Sequence, residues 1–377
     1  PAVSRVQPLT ITEQPASLSA PIGGTVALAA AVESNPPATF TWFKSNSNVQ
    51  VPGASGQSLV LRNVGSADAN NYYFVATSWS APARQAFRNL SSNRATLTVV
   101  SPQPSPSRVA NLSIRSLAGA GAETLIVGFV VGGAGTMGGK GLLVRGIGPA
   151  LTGFGVPGAL LDPRLELFSG ASSVAQNDDW GGGAPLAATF ASVGAFALTG
   201  SPRDAALADP ALAPGAYTVQ ISGNGGATGV ALAELYDTTV SAQFSNTTAR
   251  LTNVSARTRV GTGGDILIAG LSIAGTLPRT VLIRAIGPGL AQFGVTGTLA
   301  DPGLALFSGA ARINQNEDWG GNADLVALAD SVGAFRLPSG SKDAVLAITL
   351  PPGAYSVQVA GAEGGTGVAL VEVYEVP

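Results

Sequence analysis

The passage beginning at Val144, "VRGIGPALTGFGVPGALLDPRLELFSGASSVAQNDDW", returns from Ile283 as "IRAIGPGLAQFGVTGTLADPGLALFSGAARINQNEDW". From Arg145 to Trp180, 22 of 36 positions are identical at a shift of 139 residues. The match continues through Asp204 and Asp343, the "PGAY" at Pro214 and Pro352, the "TGVAL" at Thr228 and Thr366, and the "ELY" and "EVY" at Glu234 and Glu372. It also starts earlier, where "ANLSIRS" from Ala110 parallels "TNVSART" from Thr252. Similarity held over apolar and turn positions alike means two units of one fold. They span residues 108–237 and 250–377, joined by 238–249, and each has room for roughly eight or nine short strands.

Stretches such as "GGTVALAAAV", "GAYTVQISG" and "GAYSVQVAG" are rich in Val, Thr, Leu and aromatics and are cut at short intervals by Gly, Pro, Asn and Asp. That is the rhythm of an all-β chain. A helical period appears only at Ala184 to Val193 and at Ala323 to Val332, each enough for two or three turns. Ahead of the repeats, "SPQPSPS" at residues 101–107 is an extended Pro/Ser linker and marks a boundary. Residues 9–100 have another spacing: a strand "TVALAAAV", Trp42 twelve residues past Ala30, then "DANNYYFV" with Asp68, Asn70, Tyr72 and Phe74. This resembles an immunoglobulin-like sandwich, with Ala30 and Phe74 where the two inter-sheet cysteines would stand. Trp42 then packs over them, and Tyr72 takes the tyrosine-corner position. Residues 1–8, "PAVSRVQP", precede the first strand of that sandwich as an arm.

Charged residues make up 11% of the chain, against about 25% in an ordinary domain, and Gly 50 and Pro 25 push toward turns. Net charge is −2, and the only lysines are Lys44, Lys140 and Lys342. No basic run exists to meet phosphates, so nucleic acid is not an expected partner. Mean hydropathy is +0.31. Yet the longest apolar stretch, Leu125 to Val131, contains a glycine and falls far short of the ~18–20 residues of a spanning helix, so no membrane span is expected. The chain has no Cys and no His, which removes disulfides, thiolate nucleophiles, imidazole bases and the usual zinc ligands together. No charged segment followed by an apolar one opens it, so either a signal has been removed or the chain belongs to something longer.

The repeated unit, with "LLVRGIGPAL", "FGVPGALLDPRLELF", "NDDWGG" and "LAPGAYTVQISG" in this order, resembles modules of long secreted and surface proteins of Verrucomicrobia-type bacteria. Its second half is similar to the bacterial pre-peptidase C-terminal domain, a non-catalytic appendage of secreted enzymes. The resemblance implies two homologous sandwiches of jelly-roll-like or pre-peptidase-C-terminal-like type, at the cell surface or outside it. The expected fold class is thus all-β, with three β-sandwiches in tandem.

"QNDDWGG" at Gln176 and "QNEDWGG" at Gln315 are the stretches richest in chemistry. A catalytic carboxylate pair needs two environments and a shared cleft, whereas Asp178 and Asp179, adjacent on a strand-to-turn segment, point in opposite directions. Two readings stand. In one, Asn177, Asp178 and Asp179, joined by Asp162 or Asp204, and their counterparts Asn316, Glu317, Asp318, Asp301 and Asp343 supply oxygens to calcium. The similarity to pre-peptidase C-terminal domains points the same way, since some of those bind calcium through loop acids. In the other, Asn and Asp cap turn amides, the glycines take φ > 0, and Trp180 and Trp319 anchor the loops. "GAGTMGGKG" lacks the residues of a phosphate loop and reads as a glycine-rich hairpin. Arg145 and Arg284, in "RGIGP" and "RAIGP", read as strand-end arginines that pair a neighbouring carboxylate.

No cofactor beyond calcium is called for, and no enzymatic constellation is present. The reading favoured by these features is a non-catalytic extracellular subunit that associates with itself or with other surface proteins in a layer, matrix, adhesin or filament. Interface cores are depleted of Lys, Glu and Asp, as this chain is. The alternative is a carbohydrate-binding accessory region of a secreted enzyme, with Trp79 as its aromatic platform.

Overall fold

The computed structural model describes residues 8–377 apart from 36, 80–86, 103–105, 122–123 and 200. The chain is a set of tandem β-sandwiches. The first is built from β1 (Thr10–Glu13), β2 (Leu18–Pro21), β3 (Val26–Ala29), β4 (Ala31–Glu33), β5 (Thr39–Lys44), β6 (Val49–Gln50), β7 (Ser58–Leu61), β8 (Asn70–Trp79), β9 (Phe87–Ser91) and β10 (Ala95–Val100). One sheet runs β2-β10-β8-β5-β6 with β9 also on β8, and β1-β4 and β3-β7 face it. Trp42, Phe74 and Ala30 are all fully buried in one core, with the Trp42 and Phe74 rings 5.3 Å apart. A small and a large apolar residue thus fill the space a disulfide would span. The Tyr72 hydroxyl donates back to the Asp68 carbonyl at 2.9 Å, closing the expected tyrosine corner. Burial first, and Asp68 second, push that phenol up to about 12.

The first repeat comprises β11 (Arg108–Ala118), β12 (Leu125–Gly132), β13 (Lys140–Ile147), β14 (Pro163–Ser169), β15 (Ser172–Asn177), α1 (Ala184–Ser192), β16 (Ala205–Leu212), β17 (Gly215–Gly223) and β18 (Gly229–Asp237). The second comprises β19 (Arg250–Val260), β20 (Leu267–Ala274), β21 (Arg279–Ile286), β22 (Pro302–Ser308), β23 (Ala311–Asn316), α2 (Ala323–Ser331), β24 (Ala344–Leu350), β25 (Gly353–Gly361) and β26 (Gly367–Glu375). Within the first repeat the sheets run β16-β13-β18-β11 and β15-β14-β17-β12; within the second, β24-β21-β26-β19 and β23-β22-β25-β20. The strand order is the same in both.

The repeats do not stand apart. β11 pairs antiparallel with β20, and β12 with β19, so each four-stranded sheet of one repeat continues into a sheet of the other. Two eight-stranded sheets result, with one apolar core running between them through both repeats. The joining strands alternate inward apolar residues, such as Val127, Phe129, Val254 and Ala256, with outward small or polar ones. Pairing them satisfies four main-chain edges that would otherwise be templates for aggregation, in a chain with few lysines to guard them.

At the second repeat's end the first sandwich folds back onto the pair. Its β3 and β7 pack on β24 and α2, where Ala27 shares a cluster with Leu282, Leu328, Val345 and Ala347.

Candidate functional site

The acid and tryptophan loops follow β15 and β23, and their asparagines tie each loop to the neighbouring strand. Asn177 Oδ1 accepts from the Ala206 amide at 2.8 Å while its Nδ2 donates to the Asp179 carbonyl at 3.0 Å. Asn316 does the same with Val345 (2.8 Å) and Asp318 (3.1 Å). The Trp180 and Trp319 amides donate to the Asp204 and Asp343 carbonyls at 2.8 and 2.9 Å. The indoles then donate to the Ser201 carbonyl at 3.3 Å and to the Ser341 hydroxyl at 3.0 Å. Gly181, Gly182, Gly320 and Gly321 all have φ near +70°, the left-handed turn that a side chain would resist.

The carboxylates diverge. Asp204 and Asp343 are fully buried, and each Oδ1 accepts the amide of an "IGP" glycine, Gly148 or Gly287, at 2.8 Å. Asp301 is engaged by Lys342, and Asp178 accepts from Asn224 at 3.4 Å. Glu317 and Asp318 are exposed. Among the described residues no group of three or more acids is placed to hold a metal. If the loops are held by these turn hydrogen bonds alone, chelator is expected to leave the melting transition unmoved. A transition that falls in chelator and recovers in millimolar calcium would assign the loops to the metal instead.

Asp204 differs from Asp343 in one respect: among the described residues its Oδ2 has no partner, whereas Asp343 Oδ2 accepts from the Ser341 hydroxyl at 2.6 Å. Burial raises the Asp204 pKa, opposed by the Gly148 and Ala150 amides and by Arg145. With its folded pKa above its unfolded one, the stability it carries is complete below the unfolded value of about 3.9 and is lost as pH rises through the folded value. Asp204→Asn is expected to remove that part of the pH dependence. Melting temperatures of both proteins across the acid range check this, and parallel curves would contradict it.

Beneath each loop lies a buried ion pair. Arg145, fully buried, donates through Nε to Glu234 Oε2 at 2.8 Å and through a terminal nitrogen to the Phe196 carbonyl at 2.7 Å. Arg284 repeats this with Glu372 at 2.8 Å and the Phe335 carbonyl at 2.6 Å. The second carboxylate oxygens accept from Tyr236 and Tyr374. Phe196 and Phe335 stack on the guanidinium groups at 4.4 Å. These arginines are committed on every side, so they are structural pins rather than an anion site. A second buried set joins Arg108 and Lys140 to Asp237, and Arg250 and Arg279 to Glu375.

The two loops meet different surroundings. Around the second, the Thr280 and Thr349 hydroxyls lie 2.7 Å apart. Thr349 accepts from the Ala27 amide at 2.8 Å, and Thr280 donates to the Thr25 carbonyl. The Ser58 hydroxyl donates to the Ala347 carbonyl at 2.8 Å, and Asn316 donates to Gln57 at 2.8 Å. A Cβ on Gly56 would come within 2.4 Å of Asn322 Nδ2, so a side chain there would have to push aside the amide whose oxygen caps α2. Trp319 is 7% exposed under this cover, while Trp180 is only half-buried. Sequence reasoning missed this docking, although a signal existed in the differences between repeats. Thr280 has Gly141 as its counterpart, Asn322 has Gly183 and Leu328 has Thr189, and Thr349 gives way to Pro210 and Ala211 in a bulge of β16.

Trp79 closes β8 opposite Phe87, and its side chain, like residues 1–7 of the arm, lies outside the described residues. A cleft of about 250 Å³ near the join of the repeats is lined by Arg115, Ser116, Val230, Arg259 and Asp265.

Residues 10–78 match the immunoglobulin domain family. Solved structures similar to this part include the tandem Ig repeats of Dlar, at 22% identity over 25% of this chain and 49% of that one, with a TM-score of 0.21. A chimeric titin Z1Z2 is 23% identical over 26% of this chain and 98% of that one, TM-score 0.21. The first domain of Duf (Kirre) is 18% identical over 26% and 100%, TM-score 0.19. The chain spans about half the length of the Dlar structure. No curated protein matches the chain.

Proposed function

We propose that the chain is a non-catalytic structural subunit of an extracellular assembly, a surface layer, matrix or filament, in which copies associate with one another. The observation that carries this reading is the difference between the two ends of the paired sandwiches. The second repeat's end is covered by the immunoglobulin-like domain, whereas β15 at the first repeat's end, "SSVAQN", is a sheet edge with no charge and no proline. Such an edge is a template for a neighbour's strand. Its counterpart β16 is guarded by Asp209, Pro210 and a bulge, so the exposure of β15 is selective. Immunoglobulin-like domains commonly serve interaction or structural roles, and the resemblance of the repeats to secreted bacterial modules supports the location.

Residues 1–8 are the segment assigned to reach a neighbour. Light scattering on the full chain and on a chain lacking residues 1–8 tests the reading. The full chain is expected to gain mass with concentration and the shortened one to gain less. If both hold the monomer mass of 37.4 kDa to high micromolar concentration, the chain is an appended module and not an assembly subunit.

A further inference from the structure

β24, "AVLAITL", is the last strand of one eight-stranded sheet, yet all seven of its residues are buried. It pairs with β21 from Arg279–Leu350 to Ala285–Ala344 without a bulge, and it carries no charge and no proline. Its counterpart in the first repeat protects itself. There β16 reads "AALADPAL", with Asp209 and Pro210 standing where β24 has Ile348 and Thr349, a bulge against β13, and residues 208–211 exposed. Charge, proline and bulge are the devices that keep a sheet edge from pairing. β24 has none of them, and the immunoglobulin-like domain lies over it instead.

That domain is held by bonds to the edge itself. The Val345 amide donates to Asn316 Oδ1, the Ala347 carbonyl accepts from the Ser58 hydroxyl, and the Thr349 hydroxyl accepts from the Ala27 amide, each at 2.8 Å. Residues of an antiparallel strand alternately turn their main-chain groups toward and away from the neighbour. Val345 and Ala347, and by alternation Thr349, therefore turn theirs away from β21. Apolar support is small. Among the described residues, the domain gives the adjoining clusters only Ala27, Ala29 and the partly buried Val60. Arg312 adds surface pairs with Glu13 at 3.3 Å and Glu33 at 4.0 Å, of small net worth. The domain keeps its own core around Trp42, so an interface this polar opens without unfolding either side.

We propose that the immunoglobulin-like domain is a detachable cap, and that the β24 edge beneath it is a pairing site for β24 of a second copy. The proposal is independent of the β15 edge. Antiparallel self-pairing about the central Ala347 sets Ala347 against the partner's Ala347 as a hydrogen-bonded pair. Val345 then faces the partner's Thr349, and Leu346 the partner's Ile348, so apolar rows continue across the contact and no like charges meet. Such a contact is isologous and closes at two copies.

Ala27→Glu and Ser58→Arg each put a charge into the interface from positions outside the capping domain's own core. In dilute protein, hydrogen exchange over residues 344–350 is expected to rise on the order of tenfold. Sedimentation at higher concentration should then approach twice the 37.4 kDa monomer mass. Adding Thr349→Pro gives β24 the proline of β16 without breaking a bond to β21, and should return either variant to wild-type mass. Retained protection of β5 and β8 reports a folded cap; Ala27→Gln and Ser58→Gln, with the same expected result, replace a variant that loses it. Faster exchange at wild-type mass overturns the pairing site, and exchange unchanged in both variants overturns detachment. Association that Thr349→Pro leaves undiminished overturns the contact at β24. Association through β15 adds equally to every protein, so a wild type that associates as strongly as the variants overturns this proposal alone, and a monomeric wild type beside dimeric variants overturns the self-association reading alone.

Discussion

Arg284→Ala is expected to cost about 3–5 kcal/mol of stability, because it strands a buried carboxylate. Glu372 is 5% exposed and is left with only the Tyr374 hydroxyl at 2.9 Å, and the Phe335 carbonyl loses its donor. The pair as such is not the source of that figure. Removing both partners, as in Arg284→Met with Glu372→Leu, is expected to recover much of the loss, since an apolar pair carries no desolvation penalty. Denaturant unfolding of the three variants measures this, and a single variant within about 1 kcal/mol of wild type would mean that the carboxylate reaches water or another cation.

Gly287→Ala is expected to be at least as damaging. A Cβ there would lie 1.9 Å from the Leu299 carbonyl oxygen, a main-chain atom that cannot move without shifting the loop before β22. The same glycine donates to Asp343, so any shift also breaks the buried carboxylate's bond at 2.8 Å. Overpacking of this kind costs about 1–3 kcal/mol where neighbours are flexible and more where they are backbone. Gly148 stands at 2.0 Å from the Leu160 carbonyl oxygen, and Gly148→Ala should behave alike in the first repeat. Soluble expression with a native melting transition in either variant would contradict this account of the "IGP" turn. Gly297, at φ +63° with nothing near its Cβ position, is the control for glycine loss by conformation alone.

Much of this is legible in the sequence. The 139-residue shift implied one fold twice, and the apolar period implied the short helices at Ala184–Ser192 and Ala323–Ser331. The spacing of Ala30, Trp42, Tyr72 and Phe74 marked the first core because a single buried indole dictates what can surround it. The pairing of Arg145 with a carboxylate was foreseen in kind but not the identity of Glu234. What escaped was lateral. Alternation tells which face of β12 turns inward, but not that its neighbour is β19 of the other repeat, since a satisfied edge and an open edge carry the same pattern. Asp204 and Asp343 stand with the loop acids as candidate calcium oxygens in the sequence. Their function as acceptors for the "IGP" amides depends on a fold-back of the chain that spacing cannot reveal. The docking of the immunoglobulin-like domain was visible only as differences between the repeats, at Thr280, Asn322 and Leu328, and differences have meaning once a partner is known.

These features describe a chain whose buried charges are spent on rigidity. On the proposed reading, its covered end leaves the β15 edge as the surface open to another copy. Electron microscopy of the purified full chain, at a concentration where light scattering reports its mass, tests that claim most directly. The account predicts particles larger than one chain, joined through the β15 edge. A uniform field of single three-sandwich particles at every concentration would contradict it.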